Sequence, residues 1–194
     1  MRSSRVAAFA LILPVLIAAR PVMAPKSHVI DKNHSEINFV ADARLLSAHG
    51  FFGKWDADIQ LDAQNLEAST VAIVIDASSI DTRVTRRDNH LKSDAFLDVV
   101  KYPSITFKSV SVMKTGETKL AITGDLTMRG TTKRIVVPAS MVFYEKGAGR
   151  FRGEFKVKRM EYGVSYNSAL NPIEDEITVQ WDMSIKELTP APAK

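Results

Sequence analysis

From Ser35 onward, apolar side chains recur at every second position in eight successive runs. A period of two puts the apolar groups of each run on one face of an extended strand, so the runs must fold around a shared interior. Ile37, Phe39, Ala41, Ala43 and Leu45 open the series within Ser35–Leu45. Trp55, Ala57, Ile59 and Leu61 make the second run, and Val71, Ile73, Ile75 and Ala77 the third. After an interruption, Ile105 and Phe107 lead into Val110 and Val112, with a slip of phase near Ser109 that predicts a bulge. Leu120, Ile122, Gly124 and Leu126 follow, then Ile135, Val137, Ala139, Met141 and Phe143. Pro138 in that sixth run belongs at an edge or a bulge, because it has no N–H for a ladder. Phe151, Gly153, Phe155 and Val157 form the seventh run, and Ile177, Val179, Trp181, Met183 and Ile185 the eighth. Pro25-Lys26 reads as a short lead, and Met160–Glu174 as a long loop.

Short turns such as Lys114-Thr115-Gly116 and Lys146–Gly149 make neighbouring strands antiparallel. An all-β chain of this kind fits a two-sheet sandwich or a closed barrel. The barrel is favoured because the first run spans 11 residues and the chain has no cysteine pair. An eight-stranded barrel encloses just enough room for packed side chains or one small ligand. Periodicity identifies the inward face but does not separate these two fillings. The aromatics Phe39, Phe52, Trp55, Phe107, Phe143, Phe155 and Trp181 are core in the first case and cavity lining in the second.

Arg2 and Arg5 precede the 14-residue apolar run Val6–Ala19, and small residues follow. This layout predicts a signal peptide over residues 1–24, cleaved after Ala19 or Ala24. The run is short of the ~20 residues a spanning helix needs. Removing the leader takes Arg2, Arg5 and Arg20 from a formal charge of +4, leaving the mature chain near neutrality and without the basic face a nucleic-acid partner requires. The absence of cysteine excludes disulfides and thiolate chemistry. The tail, residues 188–194, is expected to be loose.

The interruption, Ser79–Ser109, crowds charges together and announces a short helix near residues 85–98. Thr85 and Asp88 have the spacing of a capping box, and Ser93-Asp94 offers a second cap. Leu91, Ala95, Phe96, Val99 and Val100 are spaced to cover an apolar opening. As a lid, the segment would place Arg83, Arg86, Arg87, His90 and Lys92 near the polar head of a ligand; as a plug, it would only complete the core. Asp81, Asp88 and His90 with Ser79 or Ser93 would be the raw material for acid–base or nucleophilic chemistry, but no nucleophile elbow or HExxH pattern supports a catalytic set. His28, His34, His49 and His90 are too scattered to read as a metal site.

Several ordered segments resemble the YceI-like family of secreted, lipocalin-like proteins. They are Asn33–Phe39, Gly50–Trp55, Ser79–Thr82 with Arg87–Leu91, Phe96–Asp98, Tyr102–Phe107, Gly124–Lys133, and Arg159 with Tyr162-Gly163. The resemblance covers the segment 27–187. It implies an eight-stranded antiparallel lipocalin-like barrel whose hollow interior binds a long amphiphile: a polyisoprenoid, an isoprenoid quinone or a fatty-acid amide. Such a lipid would be the ligand, with no further cofactor and no metal. It implies a periplasmic binding, transport or storage role, sometimes linked to stress, with no enzymatic activity. The runners-up are a hydrolase acting on a similar amphiphile and a ligand-free structural barrel. A homodimer and a transient contact with a membrane or a membrane cytochrome are compatible with the same reading. The expected cavity lining is Phe39, Ala41, Ile73, Ile75, Ile80, Leu91, Phe96, Ile105, Phe107, Leu126, Phe143, Val179 and Trp181, with Arg83, Arg87 and His90 near the head group. Ala43 stands where the family commonly carries His, and Ala57 where it commonly carries Gly.

Overall fold

The computed structural model describes residues 24–188. Residues 1–23 of the expected leader and 189–194 of the expected tail lie outside them. The strands are β1 (Lys26–Ile30), β2 (Glu36–Ala43), β3 (Ala48–Phe52), β4 (Trp55–Leu61), β5 (Thr70–Asp76), β6 (Ile80–Asp81), β7 (Ser104–Lys114), β8 (Lys119–Met128), β9 (Thr131–Glu145), β10 (Ala148–Lys158) and β11 (Ile173–Glu187), with one α-helix, α1 (Thr85–Lys92), between β6 and β7. Eleven strands make eight staves. β1 with β2, β3 with β4, and β5 with β6 are each one stave broken at a bend: β1 pairs with β4 while β2 pairs with β3, and β4 pairs with β5 while β3 pairs with β6. Every pairing is antiparallel, and β11 closes the ring by pairing with both β1 and β2.

The eight apolar runs lie on strands, apart from Ala77, which falls in a 3-10 turn after β5, and Leu45. β1 is the addition: Lys26 belongs to a strand, not to a loose lead. Its alternation is hidden because the buried inward residue is a histidine, His28. The first run also stops earlier than its pattern, at Ala43, and Leu45 is left exposed. The bulge expected near Ser109 is present, with Val110 as the extra residue between the pairs Ser109–Gly124 and Ser111–Thr123. Ser109 Oγ accepts the Val71 N–H there at 2.9 Å, covering a donor in the neighbouring stave.

A second irregularity corrects one expectation. On β9, Phe143 pairs with Arg150 but Met141 pairs with Phe151, so Val142 is an extra residue. The insertion reverses the phase of the strand. Phe143 therefore faces solvent, 46% exposed, and is no part of the interior, while Tyr144 turns inward. Pro138 lies where the β9–β10 register ends, just past the pair Ser140–Arg152. Gly153 meets it there, and a Cβ on Gly153 would come within 2.1 Å of the Pro138 carbonyl oxygen.

Three buried clusters are stacked along the barrel. Ile59, Leu120, Phe151 and Ile185 mark the floor, Ile105, Phe107, Val137 and Tyr162 the middle, and Phe39, Ile80, Phe96 and Val164 the open end. At the floor His28, 4% exposed, has Nδ1 2.8 Å from the Lys26 carbonyl and Nε2 2.9 Å from the Tyr144 hydroxyl. The carbonyl can only accept, so Nδ1 donates to it, and Nε2 is paired with the Tyr144 hydroxyl, which can donate or accept.

At the open end the 14-residue connection between β10 and β11 is held by a buried cation. Arg159, 3% exposed, donates from Nε to the Glu174 carbonyl, from one terminal nitrogen to those of Val164 and Tyr166, and from the other to that of Ile173. Burial pulls its pKa below the ordinary guanidinium value, opposed by the Asp175 carboxylate. Arg129 makes a similar tie, donating to the carbonyls of Gly163 and Asp94 and so joining the β8–β9 turn to two loops.

Arg159→Met would strand four carbonyls and is expected to lower stability by about 3 kcal/mol or more. Urea unfolding measures the loss, and hydrogen exchange should report faster opening of residues 164–172. A second expectation concerns alkaline pH. The buried Tyr162 hydroxyl has no partner among the described residues, and burial pushes its pKa up to about 12. An unfolded tyrosine titrates near ~10, so the unfolded state loses its proton first. Stability then falls as pH rises from about 10 to about 12 and is unaffected by this group below that window. In Tyr162→Phe the alkaline loss should shrink while stability at neutral pH holds, as thermal unfolding across the pH series would show.

Candidate functional site

The interior holds a cavity of about 560 Å³. That lies within the ~300–1,000 Å³ typical of small-ligand sites. Its wall runs along β11 from Ile173 to Ile185. Those residues span roughly 40 Å of strand at about 3.3 Å per residue, or on the order of 30 Å along the axis of a barrel whose strands tilt by about 40°. The site is therefore long and narrow.

Twelve of the thirteen expected lining residues are on this wall, all but Phe143. Ile73 and Ile75 come from β5, Ile105 and Phe107 from β7, Leu126 from β8, and Val179 and Trp181 from β11. These form the middle of the shaft. Phe39 and Ala41 of β2, Ile80 of β6, and Leu91 and Phe96 of the interruption surround its open end. Ala43 is also on the wall, where its methyl offers no polar contact. The indole N–H of Trp181 is buried without a partner among the described residues, a single spare donor in the apolar shaft.

Ser69 and Thr70 border the cavity at the floor and Thr106 lies on β7, while the charged lining is at the mouth. Arg87, His90, Arg159, Tyr166, Ser168 and Asn171 border the cavity there. Arg87 is anchored on Thr82, donating from Nε to its hydroxyl at 2.8 Å and from a terminal nitrogen to its carbonyl at 2.9 Å. The His90 ring packs edge-on against Phe96 and Tyr166, with centroids 4.9 and 4.7 Å away, which links α1 to the β10–β11 connection. Arg83 is not at the cavity. Its φ is 62°, its N–H donates to Asp81, and it borders instead a second groove shared with Gly50, Asp81, Thr82 and Arg87. The expectation of a head-group contact there is corrected for that reason.

The helix differs from its expected form. Val84, extended, is the N-cap, and α1 stops at Lys92. No Thr85–Asp88 capping box forms. The buried Asp88 carboxylate reaches back instead to accept the Thr82 N–H at 2.9 Å and the Thr82 hydroxyl. Leu91, Ala95, Phe96 and Val99 pack on the mouth cluster as a cover, but Val100 points to solvent. Four of the five catalytic candidates are engaged elsewhere, Asp81 by the Arg83 N–H, while His90 borders the cavity. Ser79 donates to the Asp76 carbonyl, Ser93 to the His90 carbonyl, and Asp88 is occupied by Thr82.

Arg159, Tyr166, Ser168 and Asn171 are the mouth residues that alternation does not reveal. They sit on an irregular connection with no period, and the only sequence signal was an arginine shortly before Tyr162-Gly163.

The profile of the YceI-like domain matches residues 28–185. A UPF0312 protein of Pseudomonas syringae pv. tomato is 36% identical over 176 residues, covering 88% of this chain and 85% of that one. Among solved structures, Burkholderia cenocepacia BcnA superposes with a TM-score of 0.75 at 22% identity, over 80% of this chain and 98% of that one. A polyisoprenoid binding domain from Saccharophagus degradans, implicated in plant cell wall breakdown, superposes with a TM-score of 0.65 at 14% identity, over 84% and 99%. With its profile matched over residues 28–185, from the first stave to the last, the chain belongs to the YceI-like family.

Proposed function

We propose that the protein is a carrier that sequesters one long-chain amphiphile inside the barrel. The observation that carries this reading is the distribution of polarity: one predominantly apolar shaft from floor to mouth, with its charged or ionisable lining residues, Arg87, His90 and Arg159, at the open end. An extended apolar chain would fill the shaft, and a polar head would rest against Arg87, His90 and Arg159. Burial of apolar surface drives such binding at ~25 cal/mol per Å², less the cost of ordering the chain. The length of the shaft favours a polyisoprenoid, an isoprenoid quinone or a fatty-acid amide over a compact ligand. The Saccharophagus domain, named for polyisoprenoid binding, offers a precedent for that class on this fold. The reading is binding, not turnover, because Ser79, Ser93 and Asp88 are each committed to other partners. A basic, apolar leader ahead of a chain without cysteine supports export to the periplasm, which cell fractionation would test.

The protein purified from its native host and examined by native mass spectrometry should carry one amphiphile per chain, released by organic solvent. Ile75→Trp, which intrudes on the middle of the shaft, should reduce occupancy at least tenfold while circular dichroism still reports the barrel. Repeated absence of any lipid from the wild-type protein would sink the reading, as would release of a cleaved product.

A further inference from the structure

We infer that the open end of the barrel docks on an anionic lipid bilayer, with Leu45, Leu46, Leu170 and Val100 as the contacts that enter it. The inference gives the carrier reading above its exchange surface, and rests on that reading for its purpose but not for its geometry.

The first observation is where exposed apolar groups lie. Val100 is 94% exposed, Leu170 84%, Leu46 76% and Leu45 68%, and no other large apolar residue among those described exceeds 59%. All four are on loops at the mouth, between β2 and β3, α1 and β7, or β10 and β11. The first and last of these loops are tied together: the Arg44 N–H donates to the Pro172 carbonyl at 3.1 Å and the Leu45 N–H to the Asn171 side chain at 2.8 Å. Leu45, Leu46 and Leu170 therefore project from one joined rim. Leu46 and Asn171 also line the cavity, so the rim borders the opening itself.

The second observation is charge. Residues 24–188 are neutral overall, because the full chain's four excess basic residues are Arg2, Arg5, Arg20 and Lys194. The charges are not spread evenly. The loops at the mouth carry eight basic residues (Arg44, Arg83, Arg86, Arg87, Lys92, Lys101, Arg129, Arg159) against the four acids Asp88, Asp94, Asp98 and Glu161. The turns at the floor carry Lys146 against Asp62, Glu67 and Glu117. Among the loops and turns the basic excess thus lies at the opening, while strand-end charges beside them, Asp42, Asp81, Glu174 and Asp175 at the mouth and Lys26, Lys114, Lys119 and Lys186 at the floor, narrow the difference.

Solvent-exposed leucines set among cations suit the boundary of an anionic bilayer, where apolar groups enter the interface and basic groups face lipid phosphates. The same arrangement opposes a second copy of the chain, since two such mouths face to face would bring like charges together.

The test uses the mature chain and co-sedimentation with two kinds of vesicle: phosphatidylcholine alone, and phosphatidylcholine mixed with phosphatidylglycerol. Binding is expected to the mixed vesicles and to weaken as salt is raised. It should fall about tenfold or more in Arg86→Glu/Lys92→Glu, since each basic group near an anionic surface is worth about a factor of five. It should also fall in Leu45→Ser/Leu46→Ser/Leu170→Ser, with circular dichroism confirming the barrel. Equal binding by wild type and both variants, or no binding by the wild type, would overturn the docking surface. So would a dimer in sedimentation velocity that is dispersed by the leucine substitutions, because the rim would then belong to a second copy. Solvent extraction of the same samples separates the two readings: lipid-loaded protein that ignores vesicles removes the docking surface alone, and vesicle-bound protein that never holds lipid supports docking while removing the carrier.

Discussion

The interior of this barrel is apolar from floor to mouth, and that constraint arranges the rest of the molecule. A polar group without a partner in such a shaft costs several times what a typical hydrogen bond contributes. Polar side chains are therefore driven to the two ends, where backbone carbonyls and loops can meet them. At the floor one histidine is satisfied by a carbonyl and a tyrosine hydroxyl. At the mouth a guanidinium is satisfied by four carbonyls. Both ends use the same solution, a charged or ionisable side chain bonded mainly to backbone, because an irregular segment next to an apolar volume has carbonyls to spare. Among the described residues the exceptions are the Trp181 indole N–H, on the cavity wall, and, near the mouth, the Tyr162 hydroxyl and Arg129 Nε.

Much of this was legible in the sequence because alternation is a direct record of facing. Ile73, Phe107, Leu126 and Val179 were assigned inward from their spacing, and their side chains form the wall. The Ser109 bulge was legible because the slip in phase is written in Val110. The Val142 bulge was not, since Val142, Phe143 and Tyr144 are all apolar enough to face either way. Only the register of β9 against β10 decides between them. The mouth resisted for a different reason. Asp88 and Thr85 have capping-box spacing, yet Asp88 bonds to Thr82, a choice made by the chain's approach to the helix. Local spacing cannot encode a contact that depends on how three loops meet.

The mouth is a composite. α1 contributes Arg87 and His90, the β10–β11 connection Arg159 and Tyr166, and the β2–β3 turn Leu46. The aromatic contacts of His90 and the backbone ties of Arg129 and Asn171 cross between these segments. Distinct parts of the chain are thus coupled around one opening, so a shift in one loop is transmitted to the others through hydrogen bonds and ring contacts, not through the strands.

The seam between β11 and the first stave has a consequence for how the molecule comes into being. β11 supplies the last 15 strand positions of the barrel and pairs with β1 and β2, so the ring joins the first and last staves. Contacts of such long sequence separation form late and slow the search for the native state. Until the final stave emerges from synthesis, the nascent polypeptide is an open sheet with two raw edges and no enclosed volume. Maturation is then gated by its own carboxyl-terminal strand, and the cavity comes into existence only as the last piece is laid in place.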